Sequence, residues 1–494
     1  MAKLNSHIFF AVLALVWMQA ALAQIIVPVM PEKDGPEVSS LYRVEVRLQR
    51  GTDWQTVPVI RCDVNTRRVQ QAAFAEWDMG EPVVVRIVNR REGQGTAPVV
   101  RPSSRGIVPT VINDSTVEFT LLRPEYLSVE FNGDRFHNLH LFANSSAPVV
   151  SPEGDGLEEW GLPALNSSGR ERIIHWQGEQ AQDVFVRNPG LIYFCPGVHK
   201  PKDLPSGDIR IPSNCTVYLA PGAVVKARLL VDHAENVCII GRGIVDHPLR
   251  GVEITYSKNI LLSGITFLNP AHYTVFGGES SDITVRDIKS FSARPWSDGI
   301  DLMCCRRVHI ENCFLRTSDD CIALYNHRWW YWGGSEDIDV SRCILWPDVA
   351  HPVNIGSHGD DRNGEGETLQ RVAIHDCDIL GDDADGLGLL AVNCGDNNHV
   401  RNIHFTDIRA EGLRHSRLFD LRVLHSPKYN RAPGCCIDSI WFTRISVDRE
   451  SAGKLSPSRV KDYDAKRSVQ RFFLDDIRIG DGRFSPVSDI ERQQ

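Results

Sequence analysis

Seven segments of this chain can be laid over one another: "NILLSGITF" (259–267), "DITVRDIKS" (282–290), "RVHIENCFL" (307–315), "DIDVSRCIL" (337–345), "RVAIHDCDI" (371–379), "NIHFTDIRA" (402–410) and "SIWFTRISV" (439–447). Their first apolar slot holds Ile260, Ile283, Val308, Ile338, Val372, Ile403 and Ile440. Two residues on stand Leu262, Val285, Ile310, Val340, Ile374, Phe405 and Phe442, and three further Ile265, Ile288, Cys313, Cys343, Cys377, Ile408 and Ile445. The segment "NVCIIGRGIVD" (236–246) fits the first two slots only. Successive repeats start 23 to 37 residues apart, each with a period-two strand and no helix-period segment between them. That excludes a βαβ fold. One strand per repeat, stacked in parallel, buries the slots in a continuous column, which is an all-β, parallel β-helix. Cys313, Cys343 and Cys377 share a slot with isoleucines, so they are expected to pack as small apolar side chains.

Upstream the pattern differs. Runs such as "YRVEVRLQ", "EPVVVRIV", "STVEFTLL" and "YLSVEFNG" alternate apolar and polar residues between Gly, Asn and Pro, as in a small antiparallel β-sandwich over 24–148. The Pro-, Gly- and Ser-rich stretch 149–184 reads as a linker, and 185–494 as the β-helix domain. The sandwich either binds glycan or caps the first coil, since an open β-helix end exposes unpaired strand edges. Residues 1–23 have a signal-peptide layout: Lys3, an uncharged apolar run over 8–18, and small residues at Ala21-Leu22-Ala23. The run is too short to span a bilayer, so the mature chain is expected to be secreted or periplasmic, with no membrane span. A net charge of −9 argues against a nucleic-acid surface. No paired CxxC or similar pattern points to a metal, and no cofactor motif is present.

Each coil carries a further strand, whose heads align as "DGIDL" (298–302), "DCIAL" (320–324), "HPVNI" (351–355) and "DGLGL" (385–389). Asp298, Asp320, His351 and Asp385 are therefore expected in one column, with Asp319 beside it. Strands one coil apart lie about 4.8 Å from each other, so the column would be a strip of ionisable groups. Asp before Gly is also common at turns. That accounts for Asp385-Gly386 and in part for Asp298-Gly299, but poorly for adjacent Asp319-Asp320. One carboxyl to protonate a leaving oxygen and others to activate water is what glycoside cleavage needs. Crowding of like charges would keep one of them protonated. The loop "NHRWWYWGG" (326–334) follows directly; Trp329, Trp330, Tyr331 and Trp332 are candidates to stack on sugar faces, or else to plug the loop onto the coils, and Trp296 is a further candidate wall.

The segments "SDGIDL", "TSDDCIAL" and "HPVNIGSHGDD", in this order, resemble the active-site segments of family 28 glycoside hydrolases, the polygalacturonases. The resemblance covers roughly residues 190–450. It implies a right-handed parallel β-helix and inverting hydrolysis of an α-linked polysaccharide, without metal or cofactor, by a monomer. By position, Asp319 resembles the general acid, Asp298 and Asp320 the pair that activates water, and His351 the histidine that tunes the acid and binds substrate. Ser297 and Pro352 depart from the family pattern. So does "DADGLGLLAV" (383–392), where Gly388 and Leu390 stand in place of the uronate-binding Arg and Lys. Arg362, Arg414 or Arg417 are candidate substitutes, and Asp385 a candidate substrate contact. A β-sandwich ahead of a three-aspartate β-helix is also similar to the family 49 dextranases and isopullulanases. A polysaccharide lyase and a non-catalytic glycan-binding β-helix are the remaining alternatives.

Overall fold

The structure is a computed structural model describing residues 25–91, 97–176, 181–201, 208–360, 365–382, 387–486 and 488–493. The signal-like segment 1–23 lies outside the described residues, as do Arg362 and Asp385. No helix among the described residues is long and apolar enough to cross a membrane. The chain divides into two compact units. One comprises the described residues up to Arg61 with Gln71–Val149 and Gly156–Pro163; the other comprises Cys62–Gln70, Val150–Asp155 and the chain from Ala164 on.

The first unit is a β-sandwich. One sheet runs Gln55–Val57, Tyr42–Leu48, Val83–Asn89, Thr116–Leu121 and Thr110–Asn113, all antiparallel. Alternate residues Val44, Val46, Val83, Val85, Ile87 and Val117 are buried in its core, the period-two burial of a strand with one face on a core. The other sheet is mixed: Asp134–Ser145 runs parallel to Gln70–Met79, with Leu139 opposite Ala73. This corrects the expectation of an antiparallel sandwich, because alternation fixes which face is buried and not which way a neighbour runs.

The second unit is the right-handed parallel β-helix. A coil has three strands, for example Arg306–Glu311, Phe314–Thr317 and Ile322–Tyr325, followed one coil on by Ser335–Ser341, Ile344–Pro347 and Val353–Ile355. The first two strands of each coil enter a 21-stranded sheet and the third a 12-stranded sheet. The repeat slots pair in register from Ile260 through Ile283, Val308, Ile338, Val372 and Ile403 to Ile440. The third slot falls at the bend between the first two strands. There Cys313, Cys343 and Cys377 are fully buried, and each thiol faces a carbonyl of its own coil (Glu311, Ser341 and His375, at 3.3, 3.3 and 3.2 Å). None of the thirteen cysteines forms a disulfide. The residue before the first slot is left-handed in coil after coil: Asn236, Asn259, Asp282, Arg307, Asp337 and Arg371 have φ between 52° and 58°. Asn and Asp tolerate that conformation best. The early coils also stack Asn259 on Asn236 (2.7 Å) and Asn236 on Asn214 (2.9 Å).

The span 149–184 is not linker throughout. Ile173–His175 pairs in parallel with Leu191–Phe194, so the first coil begins inside it.

Candidate active site

Each third strand is entered through a turn, and the turns of three successive coils carry the predicted residues. Residues 292–299 lead into Ile300–Met303, 318–321 into Ile322–Tyr325, and 348–352 into Val353–Ile355. Ile300, Ile322 and Val353 pair in register, which brings Asp298, Asp320 and His351 into one line. Backbone bonds continue that line through the turns: Gly299 N–H donates to Asp320 O and Cys321 N–H to His351 O, both at 2.9 Å. The turns are also pinned to each other from behind. Ser318 N–H donates to Ser292 Oγ (3.0 Å), Ser318 Oγ–H to Ser292 O (2.9 Å), and Ser292 Oγ–H to Ser297 O (2.7 Å). Arg316, fully buried, pairs with Asp348 at 3.2 Å through two nitrogens and lies over Trp346. Within the same compact unit, the segment Cys62–Gln70 adds Asn65 N–H to Asp348 Oδ2 and Thr66 N–H to Ser318 Oγ, both at 3.1 Å.

Asp385, the fourth residue expected in the column, lies outside the described residues. On the next coil Val353 pairs with Leu390, so the position in line with His351 is Gly388. Gly388 brings no side chain to the strip. Leu390 likewise does not face the groove: it sits between Val353 and Phe419 in the apolar core. The outward positions of this coil are Ala391 and Asn393.

Asp298, Asp319 and Asp320 offer one oxygen each within 4.8 Å of one another. Their environments differ. Asp320 is 4% exposed, and its Oδ1 accepts from His351 N (2.9 Å) and His351 Nδ1 (2.7 Å), its Oδ2 from Asn354 Nδ2 (2.8 Å). Burial pushes this carboxyl up, but the His351 charge and these donors outweigh it and hold it below its ordinary value. Asp319 is half-buried. Burial and then the Asp320 charge raise it, against the N–H groups of Asp320 and Trp296, to about 7. Asp298 is buried with Oδ1 unpartnered, and burial followed by its acidic neighbours pushes it well above the ordinary range. Burial works against a charged His351, yet Asp320 raises it above its ordinary value. Both oxygens of Asp320 already accept from protein donors.

A fourth carboxyl escaped the sequence reading. Asp301 is fully buried beside the Tyr273 side chain, and burial raises it well above the ordinary range. The signal was present: Asp301 stands between Ile300 and Leu302, both core residues, so alternation turns it away from the core toward the other aspartates.

The inserted loop divides in two. Tyr331 is buried against Tyr256 and Phe276, and Trp332 stacks on His327, so this part plugs the loop onto the coils. Trp329 and Trp330 are 40% and 61% exposed and stack on each other at 5.9 Å. Arg328 lies over Trp329 and Tyr325 at 4.8 and 5.2 Å and donates to the Tyr273 hydroxyl at 2.7 Å. Trp296 is 63% exposed, in a left-handed conformation two residues before Asp298.

Fold and site together define a parallel β-helix with a carboxylate and histidine strip in which Asp319 is raised and its neighbour Asp320 is held below its ordinary value. Residues 215–446, just under half of the chain and including all four strip residues, match the model of Glycosyl hydrolases family 28. The chain is 32% identical over 114 residues to a polygalacturonase of Chamaecyparis obtusa, covering 23% of this chain and 20% of that one. It is 30% identical over 110 residues to a polygalacturonase of Juniperus ashei, covering 22% and 20%. The chain thus spans about a fifth of the length of these relatives. Dex49A from Penicillium minioluteum shares the fold over 95% of this chain and 96% of its own, with a TM-score of 0.52 and 14% identity. The β-helical part is family 28-like in sequence.

Proposed function

We propose that the protein is an exported glycoside hydrolase that cleaves α-linked, pectin-type polysaccharide with inversion, in the manner of polygalacturonases. The observation that carries the reading is the split between two adjacent aspartates: Asp319 is raised to about 7 while Asp320 is held ionised by His351 and Asn354. Asp319 is the general acid, protonating the leaving glycosidic oxygen. Asp320, held below its ordinary value, deprotonates the attacking water, Asp298 helps to orient that water, and His351 holds Asp320 in place. The carboxyl oxygens stand closer than is usual for inverting enzymes. Two carboxyls facing one acid nevertheless suit a water held between them better than a single nucleophile. Trp296, Trp329 and Trp330 form the wall on which sugar rings stack, and one substrate chain is bound per monomer.

A neutral α-glucan of the family 49 type is the second reading. It is favoured by the exposed Trp329–Trp330 pair and by the groove positions Ala391 and Asn393, which are themselves uncharged.

Reducing-end release on polygalacturonan, rhamnogalacturonan, dextran and pullulan, with Asp319→Asn beside the wild type, tests both. Release from a uronate polymer supports the first reading and release from dextran or pullulan alone the second. Wild-type release that persists in Asp319→Asn overturns the acid assignment. An anomeric proton spectrum of the first product decides inversion, and an exported form beginning at Gln24 decides the signal.

A further inference from the structure

From Asp320 a chain of hydrogen bonds runs along the groove, away from Asp298. Asn354 Nδ2 donates to Asp320 Oδ2 at 2.8 Å, Asn393 Nδ2 donates to Asn354 Oδ1 at 3.0 Å, and Arg422 Nε donates to Asn393 Oδ1 at 3.1 Å. Arg422 also pairs with Asp420 at 3.1 Å, and Arg459 grips the same Asp420 carboxylate through both oxygens. Each of the three bonds crosses one coil. They run from the 318–321 turn to Val353–Ile355, then Gly388–Cys394, then Ser416–Val423. Asn354 is 7% and Asn393 4% exposed.

The order of donors is forced. A guanidinium nitrogen only donates and an ionised carboxylate only accepts. Arg422 therefore obliges Asn393 to turn its oxygen toward it and its NH2 toward Asn354. Asn354 must then offer its oxygen to Asn393 and its NH2 to Asp320; the Ser357 hydroxyl donates to the same Asn354 oxygen at 3.3 Å and shares in this order. Turning either amide over would set donor against donor at one end or oxygen against carboxylate at the other. Buried as they are, neither side chain can substitute water for the lost bond without cost.

We propose that Arg422 is a positioning residue for Asp320: acting through Asn393 and Asn354, it locks the Asn354 amide as the donor to the Asp320 oxygen that His351 leaves free. This deepens the hydrolase reading and rests on it, because it assigns Asp320 a partner for water activation. Bonds in such a chain polarise one another, so the cation at its far end strengthens the donor at its near end. Asp320 faces Asp298, Asp301, Asp319 and His351; Arg422 faces Asp420, Arg459 and Arg417. Through space, the Arg422 charge disfavours a protonated His351. Asn393→Ala therefore breaks the relay and keeps this charge, whereas Arg422→Met removes both.

The test uses the full chain with Asn393→Ala, Arg422→Met and the double variant. The Asp320 carboxylate is followed by carbon NMR of aspartate-labelled protein, its resonance assigned by its loss in Asp320→Asn. The pH profile of kcat/KM is measured on whichever polymer the wild type cleaves. Asn393→Ala, which keeps the Arg422 charge, is expected to raise the Asp320 midpoint and the acid limb together by about half a pH unit or more. It should lower kcat ~5-fold with KM little changed. Arg422→Met should shift the midpoint similarly and the double variant no further. An Asp320 midpoint in Asn393→Ala equal to that of the wild type overturns the relay, as do shifts that simply add in the double variant. Because the carboxylate titration needs no turnover, it decides the relay even if the wild type cleaves none of the polymers. That outcome would instead overturn the hydrolase reading.

Discussion

Two columns of aspartates run along the same coils and have opposite fates. At the entry to the first strand Asp282, Asp337 and Asp438, and at the bend that follows it Asp407, each meet an arginine from the next coil. Arg307, Arg371, Arg444 and Arg471 grip them with two nitrogens at 2.5–3.1 Å. These carboxyls are held below their ordinary value, Asp282 to about 2, first of all by the hydrogen bond from its arginine. At the entry to the third strand, Asp298, Asp301 and Asp319 have no arginine bonded to them, and all three are raised. The coil spacing is common to both columns. What differs is the supply of cations, and with it the protonation state. Only Asp320 crosses over, because His351 gives it the partner its neighbours lack. A β-helix can thus stack carboxylates as structural ladders or as proton carriers, and the residue one coil away decides which.

The largest effect that this contrast predicts is at Asp319. Asp319→Asn should lower kcat ~10³-fold or more, since a general acid contributes ~10²–10⁴-fold and its removal also leaves an amide facing the leaving oxygen. KM and Tm should change little, because Asp319 is half-buried and its charge gains nothing from Asp320. Reducing-end assays and thermal melts check this. Comparable loss of Tm and of kcat would mean that Asp319 belongs with the structural column.

The next effect is on pH dependence. Asp319 must carry its proton and titrates near 7, so kcat/KM should be level below neutrality and fall as pH rises through about 7. Asp320 must be ionised and is held below its ordinary value, so the acid limb should lie below the usual carboxylate range. Asp320 raises Asp319 by like charge. In Asp320→Asn the residual activity should therefore lose its alkaline limb at a lower pH than wild type does. A limb that stays in place or moves up would show that burial alone, and not the neighbouring carboxylate, sets the acid.

The sequence made the β-helix legible because burial on a stacked strand repeats every coil, and the slots Ile260 to Ile440 pair as the repeat requires. Asp298, Asp320 and His351 were legible for the same reason, being two residues ahead of paired core positions. Leu390 was not legible as a core residue, because the repeat spacing does not say how many residues the turn before Gly388–Cys394 takes up, and the register with Val353 turns it inward. Asp301 was missed because motif reading stops at strand heads, whereas alternation alone points it toward the groove. Arg422 was missed because nothing in the order of residues says that two asparagines, on two other coils, will link it to Asp320. The parallel pairing of Asp134–Ser145 was invisible too, since alternation carries no direction.

A smaller effect is expected at the loop. Trp329→Ala should raise KM ~10-fold and leave kcat within a few-fold, as loss of one stacking face weakens ground state and transition state alike. Its exposure of 40% and its place over Arg328 make it a surface the substrate meets rather than part of the plug. Tyr331→Ala, by contrast, should show as a lower Tm, because Tyr331 is buried among Phe276, Tyr256 and the loop. A fall in kcat as steep as that of Asp319→Asn would place Trp329 in the chemistry and remove the distinction between wall and strip.

The smallest effect should come from the outer column itself. Arg307 and Asp282 are exposed, with 53% and 31% of their side chains accessible, so water and salt screen their attraction. Arg307→Ala should leave kcat and KM unchanged, lower Tm only slightly, and let the Asp282 carboxyl climb back toward its ordinary value. The difference in Tm from wild type should shrink as salt is added, since screening weakens the pair in the wild type while the variant has none to lose. Melts at low and high ionic strength, with kcat measured on the same samples, check this. Were Arg307→Ala to depress kcat without a matching loss of Tm, charge on the outer column would be reaching the strip through the coils. Protonation at Asp319 would then be set by the whole acidic load of the β-helix and not by its nearest neighbours.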